Sequence, residues 1–261
     1  MSKLLYNTGI LIPLYNNFCY LRKALDSIDI ENLNAYVIIC NDCSTENVES
    51  ILFEFFKKFN KYPIIIDEQN HKIENNIKNK IHYMKHFELN RHISITRMDL
   101  VHYSNKLCLE WIGWLDPDDW VDKGYYNELI SYEKECLEKG KKYISLSKYH
   151  SMYKRLYLLT YFIKQLKKVK YIYPFIFCED MYLHYICNFN QNNVLFINEN
   201  KQMKNKYHYS IKNTSITKNI NKYYHINLYY IKNNISEKEF TKLIQNNIMD
   251  KIDIKEFSIF H

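Results

Sequence analysis

Side chains able to do acid–base or metal chemistry stand directly after apolar segments at three places in the sequence. Ligands of open α/β sheets bind at the carboxyl ends of strands, so carboxylates that follow strand-like segments are candidates for a site. They could coordinate a hard cation, hydrogen-bond a polar ligand or transfer a proton. The candidates are Asp42, Asp116, Asp118, Asp119, Glu179 and Asp180.

The densest group is the acidic turn Asp116-Pro117-Asp118-Asp119, which follows the apolar run 111–115. Like charges this close repel unless a cation or protons compensate them. Carboxylate oxygens suit Mg²⁺ or Mn²⁺, which completes its coordination with water and substrate phosphates. The alternative is an acidic turn that caps the following helix.

Asp42 follows a second apolar run and could accept a hydrogen bond from a base N–H or a ribose hydroxyl. The alternative is an Asx-type turn or a helix cap. Cys40 and Cys43 form a C-x-x-C, but a redox pair normally lies at a helix start and a zinc site needs a second pair. We interpret both thiols as packing residues.

Glu179 and Asp180 lie between an apolar run and an apolar helical segment. Partial desolvation there would raise carboxylate basicity, as a general base requires. The alternative is capping of the helix N-terminus. His208, among tyrosines, could place an imidazole near a metal or a phosphate, and a structural histidine is the alternative.

The elements that must position these residues follow a βα pattern, which predicts an α/β fold around a mainly parallel sheet. Residues 68–92 are polar with weak helical periodicity and give no clear prediction. Strands are predicted over 9–14, 36–40, 62–67, 111–115, 143–147 and 194–197. Helices are predicted over 18–28, 48–59, 98–108, 127–137, 156–168, 181–187, 221–232 and 236–248.

Composition narrows the chemistry. The 261 residues include 4 glycines, too widely spaced for a glycine-rich phosphate loop, so another group must neutralise a bound phosphate. Seven scattered cysteines indicate reduced thiols, and no segment is apolar enough to span a membrane. Residues 1–140 contain 16 Lys and Arg against 21 Asp and Glu, whereas residues 141–261 contain 20 against 8. The two parts are therefore expected to face different partners.

Taken in order, these motifs resemble those of the family 2 glycosyltransferases, inverting enzymes with the GT-A fold. The resemblance covers roughly residues 8–217, and the order and spacing of the motifs make it specific. The matching segments are 10–17 with P-x-Y-N, 21–28, 41–47 against D-D-x-S-T-D-N, 111–120 with D-x-D, 179–180 with E-D, and 207–217 against Y-x-Y…S-I.

The resemblance implies a site for a nucleotide-sugar donor, most simply a UDP-sugar. Pro13 and Tyr15 would border the base pocket, and Asp42 would hold the uracil edge. Asp116 would contact the ribose or the metal. Asp118 and, more loosely, His208 would bind a divalent cation, Mn²⁺ or Mg²⁺.

The catalytic pair implied by the resemblance is Asp180, as general base, with Glu179 helping to position donor or acceptor. The chain departs from the family at Cys43 and Leu109, where the family often has glycine, and at Ser210, where it often has arginine. The family's A-R-N segment is not evident, and Arg97 is the nearest basic residue. With these glycines missing, the diphosphate should depend mainly on a cation at Asp118.

The resemblance also implies a domain organisation. Residues 1–217 would form the GT-A domain, with a donor and metal half over 1–145 and an acceptor half over 146–217. Residues 218–261 would form a helical C-terminal extension. The acceptor would be a hydroxyl of a glycan or lipid-linked molecule, as in surface polysaccharide or lipooligosaccharide synthesis.

The basic, amphipathic stretch 154–170 could contact an anionic membrane surface, or it could be a core helix with a solvated lysine face. We expect a cytoplasmic protein, peripheral at most. Two other functions stay open. A nucleic-acid-binding or membrane-surface-binding protein would suit the basic half but leaves the carboxylates unexplained. A sugar-phosphate nucleotidyltransferase would be expected to carry the glycine-rich loop that is missing.

Overall fold

Strands and helices alternate along the part of the chain that the computed structural model describes. That part comprises residues 6–58, 64–66, 80–86, 92–146, 155–166, 192–198 and 202–210. The strands are β1 (Thr8–Leu14), β2 (Tyr36–Asp42), β3 (Ile64–Ile66), β4 (Ile81–His86), β5 (Trp111–Trp114), β6 (Trp120–Val121), β7 (Tyr143–Ser145), β8 (Arg155–Leu158), β9 (Val194–Phe196) and β10 (Tyr207–His208). The helices are α1 (Phe18–Ser27), α2 (Val48–Lys58), α3 (His92–Lys106), α4 (Tyr125–Ile130), α5 (Glu133–Glu138) and α6 (Leu159–Leu166).

The central sheet has eight strands in the order β3-β4-β2-β1-β5-β8-β7-β9, and β6 pairs with β10 in a separate two-stranded sheet. Strand β8 runs antiparallel to both of its neighbours, and the other pairings are parallel. The predicted α/β fold with a mainly parallel sheet is therefore confirmed. Strands from both predicted halves of the domain join this one sheet.

The middle of the sheet is buried on both faces, as the apolar runs of β1 and β2 require. Ile10 and Ile12 of β1 belong to a core cluster with Leu25 of α1 and Phe55 of α2. Leu11, between them, belongs to a second cluster on the other face. Helix α3 packs against β1 and β2 and also touches α6. Both faces of the sheet are thus covered, so a site is expected at the ends of its strands.

Strand β4 is a strand that the sequence did not predict. Its segment contains two histidines and a lysine, so its polarity hid the pattern of a buried strand. The structure shows that His82 and His86 are buried because each has a hydrogen-bonding partner, Tyr103 and Asp42 respectively. Polar residues that are paired in this way do not indicate solvent exposure.

Two predicted helices were wrong in part. The helix over 127–137 is two short helices, because the Ser131 hydroxyl donates to the Glu128 carbonyl and competes with the main chain where α4 ends. In the segment predicted as a helix over 156–168, the first residues belong to strand β8, and helix α6 follows it. Leu156 pairs there with Gly113, where a Cβ atom would lie 2.8 Å from Leu156 Cδ2, so glycine permits the close approach.

The basic stretch contributes to the core in its described portion. Arg155 is buried and its Nε donates to Ser145 Oγ at 3.2 Å, while Phe162 of α6 is buried and Lys164 is exposed. No helix among the described residues is long and apolar enough to cross a bilayer. The helices predicted over 181–187, 221–232 and 236–248, and the extension 218–261, lie outside the described residues.

Candidate donor and metal site

The predicted donor residues converge on one edge of the sheet. Strand β1 pairs in parallel with β2 on one side and with β5 on the other, so the carboxyl ends of all three strands meet. Asp42 is the last residue of β2, and the segments that follow β1 and β5 carry Tyr15 and the acidic turn at Asp116. Pro13 is buried in β1, and the Tyr15 side chain is 44% exposed. The edge therefore offers an aromatic ring and carboxylates to a ligand.

Side-chain hydrogen bonds hold the loops after β1 and β2 together. The Asn16 side-chain oxygen accepts from the Thr45 main-chain N–H at 2.8 Å, and the Asn16 main-chain N–H donates to Ser44 Oγ at 2.8 Å. Asn41 also holds this loop, because its side-chain oxygen accepts from the Ser44 main-chain N–H, three residues on, at 3.0 Å. Cys43 has a φ of 56°, the left-handed conformation that glycine adopts most readily. The loop thus keeps a glycine-like backbone without glycine.

Asp42 belongs to a group that we call the imidazole cluster: Cys40, Asp42 and His86, which are buried, and Asp99, which is partly exposed. His86 Nδ1 lies 2.8 Å from Asp42 Oδ1, and His86 Nε2 lies 3.1 Å from Asp99 Oδ2 and 3.6 Å from Cys40 Sγ. Burial disfavours the imidazolium, but hydrogen bonds to Asp42 and Asp99 outweigh it and raise the pKa of His86 to about 12. Burial also raises the pKa of the Cys40 thiol. Cys40 therefore stays a packing thiol beside a charged histidine.

The acidic turn forms a second group, the aspartate cluster, defined as Asp116, Asp118 and Asp119. One carboxylate oxygen from each residue lies within 4.8 Å of those of the other two. Asp119 is buried, whereas Asp116 and Asp118 are partly exposed. Hard oxygen donors at this spacing fit a divalent cation such as Mg²⁺ or Mn²⁺. The oxygen spacing of the cluster therefore fits the predicted metal site.

Arg97 of α3 contacts the aspartate cluster through Asp116. The side chain is buried, its Nη2 lies 3.1 Å from Asp116 Oδ1, and its guanidinium carbon lies 5.4 Å from the centre of the Trp114 ring. The sequence did not predict this contact, because Arg97 is displaced from the family's A-R-N position. Helix α3 begins at His92, before the predicted start, and this longer helix carries Arg97 to the edge of the sheet.

Asp119 fastens a distant segment to the aspartate cluster. Its Oδ2 accepts from the Tyr207 hydroxyl at 2.8 Å, and its Oδ1 accepts from the Ser210 amide at 2.8 Å. Burial raises the pKa of Asp119 to about 7; the Ser210 and Tyr207 hydrogen bonds oppose this rise, and Asp116 and Asp118 add to it. Both oxygens of Asp119 are thus engaged within the protein. The late Y-x-Y segment of the sequence is the signal that could have indicated this contact.

His208 lies beside the aspartate cluster without belonging to it. Its Nε2 is 2.8 Å from Asp122 Oδ1, and its ring stacks on Trp120 at 5.5 Å between centres. Lys23 Nζ lies 3.0 Å from the centre of the same Trp120 ring. Among the described residues, His208 is not in the group whose ligand atoms lie within 4.8 Å of one another. Its role as a metal ligand stays a prediction.

The predicted catalytic pair, Glu179 and Asp180, lies outside the described residues. The structure therefore brings together Asp42, Asp116 and Asp118, with Pro13 and Tyr15 at the end of β1, on a single edge of the sheet. Sequence reasoning missed His86, because β4 was not predicted, and it missed the part that Arg97 plays at this edge.

Comparisons with known proteins agree with this architecture. The sequence model described as glycosyl transferase family 2 matches residues 9–136. A search of curated proteins finds no match. Among solved structures, S. aureus TarS 1-349 is 14% identical with a TM-score of 0.56, and the match covers 90% of this chain and 68% of that one.

Two further TarS structures give similar values. The match to the structure titled S. aureus TarS, at 13% identity and a TM-score of 0.57, covers 97% of this chain and 45% of that one, so this chain spans under half of its length. TarS 1-349 in complex with UDP-GlcNAc is 12% identical with a TM-score of 0.56, and the match covers 90% of this chain and 69% of that one. At such identities the likeness shows the fold. Residues 9–136, which carry the matched motifs, thus match glycosyl transferase family 2, and the chain has the GT-A fold.

Proposed function

We propose that this protein transfers a sugar from a UDP-sugar to a hydroxyl of a glycan or lipid-linked acceptor, with inversion at the anomeric carbon. The observation that carries the proposal is the aspartate cluster at the carboxyl edge of a family 2 sheet, beside the ends of β1 and β2. The TarS complex with UDP-GlcNAc supports UDP-sugars as the first donors to test.

Each aspartate of the cluster has a different environment, which supports different roles. Asp119 has both oxygens in protein hydrogen bonds, and Asp116 Oδ1 pairs with Arg97. Asp118 is partly exposed at the same edge and is the carboxylate that we propose as the main metal ligand, with Asp116 contacting the ribose or the metal. A divalent cation bound there would stabilise the negative charge that develops on the leaving diphosphate.

The rest of the donor site would recognise the nucleotide. Tyr15, exposed at the end of β1, offers a ring face to a planar base, and Pro13 would support it from within the strand. Asp42 would accept a hydrogen bond from the base edge. Arg97 pairs with Asp116 and adds positive charge near the site that the diphosphate would occupy.

The acceptor side rests on Asp180 as general base, helped by Glu179. Asp180 would take the proton from the attacking hydroxyl, a contribution of about 10²–10⁴-fold to the rate. The acceptor itself is assigned by class alone. The excess of Lys and Arg after residue 140 suits an acceptor with anionic groups, such as one linked to a phospholipid carrier.

The proposal is tested with the full chain and a panel of UDP-sugars. We expect one of them, with Mn²⁺, to raise the unfolding temperature and to be slowly hydrolysed to UDP. Asp180→Asn should abolish turnover while donor binding survives, because the substitution removes the base and leaves the donor site intact. Retained turnover in Asp180→Asn would refute the base assignment, and no response to any UDP-sugar would refute the proposed function.

A further inference from the structure

His86 lies between two carboxylates in the imidazole cluster. Its Nδ1 is 2.8 Å from Asp42 Oδ1 and its Nε2 is 3.1 Å from Asp99 Oδ2. A neutral imidazole that donates from Nδ1 to Asp42 turns the lone pair of Nε2 toward the Asp99 carboxylate, which repels it, whereas the imidazolium attracts both carboxylates. The geometry therefore favours a charged His86, and a charged His86 pairs with Asp42 in its carboxylate form.

The sheet fixes the position of this pair. His86 is the last residue of β4 and Asp42 is the last residue of β2, and the two are direct partners in the parallel register of these strands. His86 and Asp42 are each 3% exposed or less. The contact thus depends on the strand ladder, and Asp42 is held at the donor edge by a cation that cannot diffuse away.

We propose that His86 is a positioning residue that makes Asp42 select a base with an N–H at its pairing edge, uracil in preference to cytosine. This inference rests on the proposed function, in which Asp42 contacts the base. A carboxylate accepts hydrogen bonds and donates none. Uracil presents N3–H to it, whereas N3 of cytosine presents a lone pair that the carboxylate repels.

Removing the imidazolium would change this preference. Asp42 and Asp99 would then lie near each other without the cation between them, and like charges favour uptake of a proton by one of them. A protonated Asp42 can donate as well as accept, so it no longer rejects cytosine. The expected signature is a change in base preference, and a merely structural role of His86 would not produce it.

The test measures dissociation constants of UDP and CDP, with Mn²⁺ present, by calorimetry. Wild type should bind UDP tighter than CDP by on the order of tenfold or more, the size expected from one unsatisfied polar contact. His86→Gln should weaken UDP binding and bring the two constants to within about threefold of each other. In an Asp42→Asn background, His86→Gln should cause no further change in the ratio, because His86 acts through Asp42.

His82→Gln is the matched control. His82 is also buried on β4 and bonds to the neutral Tyr103 hydroxyl at 2.8 Å, so its loss should lower stability and leave the UDP to CDP ratio unchanged. Asp99→Asn is a second variant for the case in which His86→Gln does not fold. Because Asp99 is 31% exposed, it is the safer substitution, and it should lower the ratio in part.

The outcomes separate this inference from the proposed function. A wild-type protein that binds neither nucleotide would refute both. The inference alone would be refuted if wild type bound UDP and CDP equally. It would also be refuted by an unchanged ratio in His86→Gln or, where that variant does not fold, in Asp99→Asn. An equal loss of the ratio in His82→Gln would refute it as well.

Discussion

The imidazole cluster and the aspartate cluster, both at the carboxyl edge of the sheet, differ in how their negative charge is compensated. In the imidazole cluster, a buried histidine lies between the carboxylates of Asp42 and Asp99. In the aspartate cluster, three carboxylates approach within 4.8 Å, and Arg97 is the cation that pairs with Asp116. The first group carries its compensating charge within the fold. The second holds three carboxylate oxygens within 4.8 Å of one another, a donor set that fits an additional cation.

Replacing the proposed metal ligand should have the largest effect. Asp118→Asn keeps the size of the side chain and removes its charge, so cation binding should be lost and turnover should fall by on the order of 10²–10³-fold. Release of UDP from the donor, measured with Mn²⁺, checks this. Asp26→Asn, at an exposed carboxylate of α1 that pairs with Arg22, is the charge-matched control. Full activity in Asp118→Asn would contradict the role of the cluster.

Removing Arg97, the buried arginine that pairs with Asp116, should have the second-largest effect. Arg97→Gln leaves Asp116 without its buried partner, so the free energy of unfolding should fall by about 2–4 kcal/mol, measured in urea. Mn²⁺ should recover part of this loss, because a bound cation would replace the missing charge. A loss of the same size with and without Mn²⁺ would show that metal and arginine do not share this site.

Glu133, which bonds to Thr8 at the start of β1, provides a comparison with the two clusters. Burial raises the pKa of Glu133 to about 7, the Thr8 hydrogen bond opposes this, and Glu110 adds to it. The folded state therefore binds the proton more tightly than the unfolded state. Stability should fall as the pH rises from about 4.5, the ordinary value, to about 7, and should not change through this group above that.

Glu133→Gln should remove this dependence. Between these pH values, the variant should lose about 1–2 kcal/mol less unfolding free energy than wild type. This value is smaller than the full pKa shift would give, because the side chain is partly solvated. Urea unfolding at several pH values, without metal, provides the measurement. An identical pH profile in the variant would show that Glu133 does not titrate as its burial implies.

Loss of the hydrogen bond between Tyr207 of β10 and Asp119 should have the smallest effect. Tyr207→Phe removes the hydroxyl that donates to Asp119 Oδ2 and keeps the buried ring. We expect about 1 kcal/mol of lost stability, because the variant loses the bond to Asp119 and the long bond, at 3.5 Å, that the hydroxyl accepts from the Asp116 main-chain N–H. Tyr132→Phe, which removes a hydroxyl bonded to the Gln202 carbonyl at 3.2 Å, is a control at an exposed contact and should cost less. An equal cost would contradict a special role of Asp119.

The sequence predicts the site best where local pattern and chemistry coincide. Residues 111–119 combine a buried apolar strand with carboxylates at its end, so both the strand and the aspartate cluster were found. Asp42 was found as a candidate, but its environment was not, because His86 comes from a strand whose polar residues are buried through pairing. Long-range partners of this kind leave no periodic signal in the sequence.

Strand and helix were also confused where burial is continuous. Leu156 and Tyr157 lie in β8, buried between β5 and β7, and an apolar run of this length fits a buried helix as well as a strand. Arg97 illustrates another limit. Its distance from the D-x-D motif along the chain gave no indication that α3 would carry it to Asp116. Such contacts follow from the packing of helices on the sheet, which a motif does not encode.

The central claim is that the aspartate cluster binds the donor diphosphate through a cation. The most direct measurement is a calorimetric titration of UDP into wild type and Asp118→Asn, each with Mn²⁺ and with EDTA. We predict tight binding in wild type with Mn²⁺, a loss of at least about tenfold in EDTA, and no difference between Mn²⁺ and EDTA in Asp118→Asn. Equal UDP affinity of the wild-type protein in Mn²⁺ and in EDTA would contradict the claim.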